Sequence, residues 1–304
     1  MTERRGITLI EVMIVVAVVL TVLVVLGWVV GTRARVASRK IHDGTQVRGI
    51  HQGLVLWCQS CNDSYPLPSQ YDKTNSTIAV DDPTTKNTTA NIYSILVFNG
   101  FFSTELLVSP AETNPRIQVF AGYTDRSPPT AVTPPQALWD PAFSTDFIAG
   151  IGGTSYAHMV PATREPPQSP EGSRNSRWSN TFQSTEPVVG LRGPMTAGDR
   201  TDGKGVRLTT MDAASNTLRF FGPSSTWRGN VGYNDNHVQF EDSHAPQSTR
   251  CGPHRNAQAS WDDFLFFDEY LPTDGPDHPY FINAYLGIFT KAGPTMGDYG
   301  AIWD

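Results

Sequence analysis

The sequence predicts an α+β protein: a long N-terminal α-helix, membrane-spanning in its first half, carrying a head of antiparallel strands and long loops. Three observations predict it. Residues Ile7 to Val30 are almost wholly apolar, broken only by Thr8, Glu11, Thr21 and Gly27. All 23 prolines lie at Pro66 or later, so nothing of that kind interrupts a helix through the first 65 residues. Beyond that point short β-prone runs alternate with turn residues, which reads as an antiparallel sheet.

The helix comes first. A run from Ile7 to Val30 would rise about 36 Å, enough to cross a hydrocarbon layer of about 30 Å with some tilt. No small-x-small cleavage site follows it, as a secretory signal would require. Further on, Ala37, Ile41, Gly44, Val47, Ile50, Leu54 and Trp57 recur at steps of three and four. That stripe predicts a continuation of the helix over residues 31–60, packed on the head.

Glu11 is the residue a simple anchor does not explain. A carboxylate inside an apolar span costs several kcal/mol, on the order of the insertion penalty for Asp, unless something positive neutralises it. Arg-Arg-Gly6 followed by Ile7-Thr-Leu-Ile-Glu11-Val resembles the cleavage and methylation signal of type IV prepilins and type II secretion pseudopilins. The resemblance implies a pilin-like fold with a leader at residues 1–6, cut after Gly6 by a prepilin peptidase. It also implies methylation of the new amine on Ile7, where the family usually has Phe. Glu11 would then neutralise the amine of a neighbouring subunit in a filament core. The implied partners are the peptidase, an assembly platform, the inner membrane and related pilin subunits. The implied location is the inner membrane as a single-pass protein with a periplasmic head, then a periplasmic pseudopilus or a cell-surface filament. Arg4 and Arg5 agree with a cytoplasmic N-terminus, whereas Arg33, Arg35, Arg39 and Lys40 lie on the head side.

The head, residues 61–304, is rich in Ser, Thr, Asn, Pro and Gly. A short helix is predicted over 91–100, closed by Gly100. Long irregular loops are predicted over 122–200. Strands are predicted at Ile117–Phe120, Val206–Thr210, Thr217–Phe221, Asn230–Tyr233, His237–Phe240 and Phe264–Phe267. Asp202-Gly-Lys-Gly205 lacks phosphate-loop spacing and reads as a hairpin turn. The stretch around Asn234-Asp235-Asn236-His237-Val238 resembles the C-terminal hairpin motif of planctomycete-type prepilin-like proteins. Its structural reading is a tight turn with Asn236 left-handed; its functional reading is a metal held by Asp235 and His237.

Three cysteines leave three readings open. Cys58 and Cys61 can form a disulfide in an oxidising compartment. They copy the spacing of a thiol-redox site but close a helix, at the end of the dipole that disfavours a thiolate. With Cys251 and His254 they can also make a Cys₃His zinc site. The acidic group Asp262, Asp263, Asp268, Glu269, Asp274 and Asp277 reads as a solvated face or as a calcium loop. A net charge of −6 points away from nucleic acid. No catalytic fingerprint is present in the sequence, and an assembling subunit is the expected function. The rivals are a minor tip subunit that recognises a surface or secretion substrate, and a membrane-tethered thiol-redox enzyme.

Overall fold

The computed structural model describes residues 8–161, 178–201, 207–251, 261–262, 264–266, 284–293 and 299–304. Its dominant element is α1, Leu9–Cys58, 50 residues without a break. Thr8 caps its start: Thr8 Oγ1 accepts from the Glu11 backbone N–H at 3.3 Å, and the Thr8 N–H donates to Glu11 Oε2 at 2.8 Å. This reciprocal box satisfies two donors that a helix start would otherwise leave unmade. The helix ends where Asn62 and Asp63 turn left-handed, with φ of 52° and 58°. Asn and Asp tolerate that region better than other side chains.

The head is built on a six-stranded sheet. Its strands are β1 (Tyr156–Met159), β2 (Pro187–Leu191), β5 (Gly229–Tyr233), β6 (Val238–Glu241), β9 (Leu286–Lys291) and β10 (Gly300–Ile302). The order is β10-β9-β1-β2-β5-β6 and every neighbour runs antiparallel. Two separate ribbons pair β3 (Thr196–Thr201) with β4 (Arg207–Met211), and β7 (Arg250–Cys251) with β8 (Trp261–Asp262). The α+β expectation is met, with a long helix and an antiparallel sheet in the head.

Among the described residues there are three further α-helices: α2 (Pro68–Tyr71), α3 (Pro83–Lys86) and α4 (Thr89–Phe98). The predicted helix over 91–100 is α4, starting at the Thr88 cap and stopping at Gly100, whose φ is 75°. Helices α1 and α4 cover the same sheet face. The Tyr156 hydroxyl of β1 reaches Asp43 on α1, and His158 two residues on reaches Thr89 on α4. Gly53 lies on the buried side of α1, where an added Cβ would sit 2.8 Å from the Phe102 ring. A helix-interior Gly costs roughly 1 kcal/mol against Ala, and that close approach is what it permits.

Several local expectations change. The helix stripe begins at Asp43, six residues later than predicted, and Ile41 is 72% exposed. Strands at 230–233 and 237–240 appear as β5 and β6, and that at 206–210 as β4. By contrast, 117–120 contributes a single bridge, Ile117 to Gly152, and Phe264–Phe266 form a turn rather than a strand. Residues Asn216–Arg219 make a 3₁₀ turn in place of the predicted strand. Its backbone is claimed locally: the Asn216 N–H donates to Asp304 Oδ2 at 2.7 Å, and Ser215 Oγ bonds Thr217 Oγ1 at 2.9 Å. Side-chain competition of this sort overrides β-propensity. Loops do fill most of 122–155, but β1, β2 and β3 occupy part of the stretch predicted as loop up to 200.

Candidate functional site: an unburied apolar helix and its junction with the head

Among the described residues nothing packs against the first half of α1. Its most apolar 18-residue window has a mean hydropathy of 3.2 and is 0% buried. Leu9 is 79% exposed and Val24 69%. A monomer seldom leaves a contiguous apolar patch of more than a few hundred Å² in water, so a surface of this extent calls for lipid or other helices around it. By length and composition the helix can cross a membrane. Glu11, also exposed, is the one charged residue between Leu9 and Val30, and its described partners are those of the Thr8 cap. Gly6 and Ile7 lie outside the described residues.

Further along, α1 joins the head through a polar seam rather than a purely apolar stripe. Asp43 is buried. Its Oδ1 accepts from the Ser109 hydroxyl at 2.5 Å and the Tyr156 hydroxyl at 2.8 Å, and its Oδ2 from Asn230 Nδ2 at 2.7 Å. Burial drives its pKa up to about 6, and the bonds from Ser109, Asn230 and Tyr156 restrain the rise. Gln46 donates through Nε2 to the carbonyls of Glu105 and Val108, at 3.3 and 3.2 Å. His51 lies one turn on, with Nδ1 3.1 Å from Asn236 Oδ1 and Nε2 3.1 Å from the Tyr65 hydroxyl. Burial lowers the His51 pKa, favouring the neutral ring. Between these polar groups Val47, Ile50, Leu54 and Trp57 enter the core.

The seam ends on the β5–β6 turn, which the sequence singled out. Asn234 is buried and donates through Nδ2 to the Ser179 carbonyl at 3.0 Å and to Glu186 Oε2 at 2.9 Å. Its Oδ1 accepts from Tyr65 Oη at 2.8 Å. Asn236 is left-handed at φ 69°, and the Tyr233 N–H closes the turn on the His237 carbonyl at 3.0 Å. Asp235 and His237 are spent on each other, Oδ1 to Nδ1 at 2.5 Å, and the His237 ring stacks on Tyr233 at 4.4 Å. The turn is therefore a docking point for α1. Replacing Asn236 by Gly and by Val removes the same His51 contact but treats the backbone oppositely. The Val variant is expected to be about 1–2 kcal/mol less stable than the Gly variant, in denaturant unfolding of the detergent-solubilised chain.

Cys58 and Cys61 are both free thiols, so the expected 58–61 disulfide is not formed in this structure. Cys58 is buried in the core, and that burial pushes its thiol up to about 12. A protonated buried thiol is a poor nucleophile. Cys251 is described only by its backbone, paired with Trp261 across β7 and β8, and His254 lies outside the described residues. The four-ligand zinc reading falls there with it. So does the acidic calcium reading: Asp262 is described by its backbone alone, and Asp263, Asp268, Glu269, Asp274 and Asp277 lie outside the described residues. Among the described residues no group of three or more His, Cys, Asp or Glu side chains is arranged to hold a metal. Residues 202–205 also lie outside them, though Thr201 and Arg207 on either side pair as a hairpin requires.

Sequence reasoning missed Asp43, Gln46 and His51 as helix-to-head contacts. The available signal was polar residues at steps of three and five within an otherwise apolar helix face. The chain matches no family model, no curated protein and no solved structure.

Proposed function

We propose that this chain is a structural subunit of a type IV pilus-like or type II pseudopilus filament. The single observation that carries this reading is the exposed apolar half of α1, with a lone carboxylate, Glu11, two residues inside its start. Before assembly that helix sits in the inner membrane, with the head in the periplasm. A prepilin peptidase cuts after Gly6 and frees the amine of Ile7. An assembly platform then passes the helix from lipid into a core of like helices, where Glu11 meets the amine of a neighbour. An ammonium and a carboxylate, each costly alone in hydrocarbon, become tolerable together. The polar seam supports the same reading mechanically. Withdrawing the helix from lipid loads the joint with the head, and hydrogen bonds from Asp43, Gln46 and His51 give that joint a unique register.

A rare tip subunit is the second reading, favoured by the long loops of the head between α4 and β1. Copy number in isolated filaments separates the two. The deciding test of the main reading is the intact mass of the protein isolated from its native membrane. A chain starting at Ile7, with one added methyl group, is expected. Retention of Met1 through Gly6 would overturn the proposal.

A further inference from the structure

Between the apolar span and the head, residues 31–42 of α1 stay helical, and from Thr32 to His42 they are exposed. Arg33, Arg35, Arg39 and Lys40 fall in this stretch, and no Asp or Glu occurs between Glu11 and Asp43. Among the described residues none of the four pairs with a carboxylate. Lys40 instead lies over the Phe240 ring, its Nζ 3.5 Å from the centroid.

Because the helix is continuous, the distance of each charge from the span is set. At 1.5 Å per residue, Arg33 and Arg35 lie about 5 and 8 Å beyond Val30, and Arg39 and Lys40 about 14 and 15 Å. A headgroup layer is roughly 5–8 Å deep on each side of the hydrocarbon. Arg33 and Arg35 therefore reach into it, and Arg39 and Lys40 stand within about one Debye length of its outer edge. At about 100° per residue, Arg33 and Lys40 fall on one side of the helix and Arg35 and Arg39 on another. The collar consequently faces lipid at any rotation of the span.

We propose that this basic collar binds the anionic phosphodiester headgroups of the leaflet on the head side. The inference rests on the reading that α1 spans a membrane, and not on filament assembly. Four cations beside an apolar span each gain from a negative surface, and among the described residues no carboxylate competes for them, the Phe240 ring under Lys40 being the one aromatic contact. The collar holds the head at a constant height and adds a salt-sensitive attachment to the apolar one.

The test uses the full chain reconstituted in phosphatidylcholine vesicles with a trace of chain-spin-labelled lipid, either phosphatidylglycerol or phosphatidylcholine. Electron paramagnetic resonance reads the fraction of each label held motionally restricted at the protein. At low salt, phosphatidylglycerol is expected to associate about threefold or more above phosphatidylcholine. The ratio is expected to fall towards one in the variant R33Q/R35Q/R39Q/K40Q, and in wild type at about 1 M salt, where screening is nearly complete. A ratio near one in wild type, or an unchanged ratio in the variant, would overturn the collar. No restricted fraction for either lipid would overturn the span itself, which keeps the two failures apart. All four positions are exposed and only Lys40 touches a ring of the head, Phe240, so the variant should keep the far-ultraviolet circular dichroism and melting temperature of the folded head.

Discussion

Glu11→Leu is expected to abolish filament assembly while leaving membrane integration and head folding as they are. The leucine removes the one charge from an exposed apolar face, so insertion into lipid becomes easier rather than harder. It also removes the reciprocal cap with Thr8, at a cost of about 1 kcal/mol confined to the first turn. Neither change reaches the head, whose contacts with α1 begin at Lys40. On the filament reading proposed above, what is lost is the negative partner for a neighbour's amine. Glu11→Gln separates charge from capping, since an amide still accepts from the Thr8 hydroxyl and backbone but cannot neutralise an ammonium. Assembly should therefore fail in both variants, by at least about tenfold in filament yield from sheared cells, if pairing is worth about 1.4 kcal/mol or more per subunit. Wild-type yield from Glu11→Leu would remove the basis of the filament reading.

The second large effect belongs to the head. Arg192 is buried at 1% exposure between two carboxylates, with Nη2 2.7 Å from Glu112 Oε1 and Nη1 3.1 Å from Asp304 Oδ2. Its guanidinium also lies 5.2 Å from the ring centroids of Phe147 and Phe220. Burial works to raise the Asp304 pKa, but Arg192 and Asn216 outweigh it and hold the carboxyl below its usual range. Arg192→Met fills most of the space and strands both acids. Breaking a buried pair from one side costs about 3–5 kcal/mol, a large share of the 5–15 kcal/mol typical of a folded domain. A head of this size should melt roughly 6–20 °C lower, read by circular dichroism of the solubilised chain. Adding Glu112→Gln to Arg192→Met should recover part of the loss, because one stranded charge is gone. A melting temperature within about 2 °C of wild type would show that the triad contributes little.

The two effects act in separate places: Glu11 lies near the start of the exposed half of α1, whereas the buried triad ties segments of the head to one another and has no member on α1. Mutations in the two regions are far enough apart for their effects on stability to be additive.

Much of this was legible along the chain. The helix was, because apolar content, spacing and the absence of proline are local properties that act on a helix directly. So was the β5–β6 hairpin, since Asn-Asp-Asn encodes a turn through its own backbone preferences. Strands β1, β2 and β9 were not. Tyr156–Met159, Pro187–Leu191 and most of Leu286–Lys291 are buried on both faces, so they lack the alternation that marks a half-exposed strand. Thr217–Phe221 misled in the other direction, because its β-prone residues are held in a turn by Asp304, a residue far along the chain.

By itself, then, the amino-acid order determined one long helix, apolar and free of proline, a carboxylate near its start, a basic stretch after it and a turn-rich sheet domain beyond. Tertiary structure alone decided that the helix becomes buried in the head from Asp43 rather than Ala37, and that Asp43, Gln46 and His51 make the joint. It likewise decided that Arg192 draws Glu112 and Asp304 together, and that Cys58 points into the core as a protonated thiol. The physical reason is reach. Helix and turn preferences are settled within a few residues, whereas a buried polar group is stable only where distant segments bring it a partner.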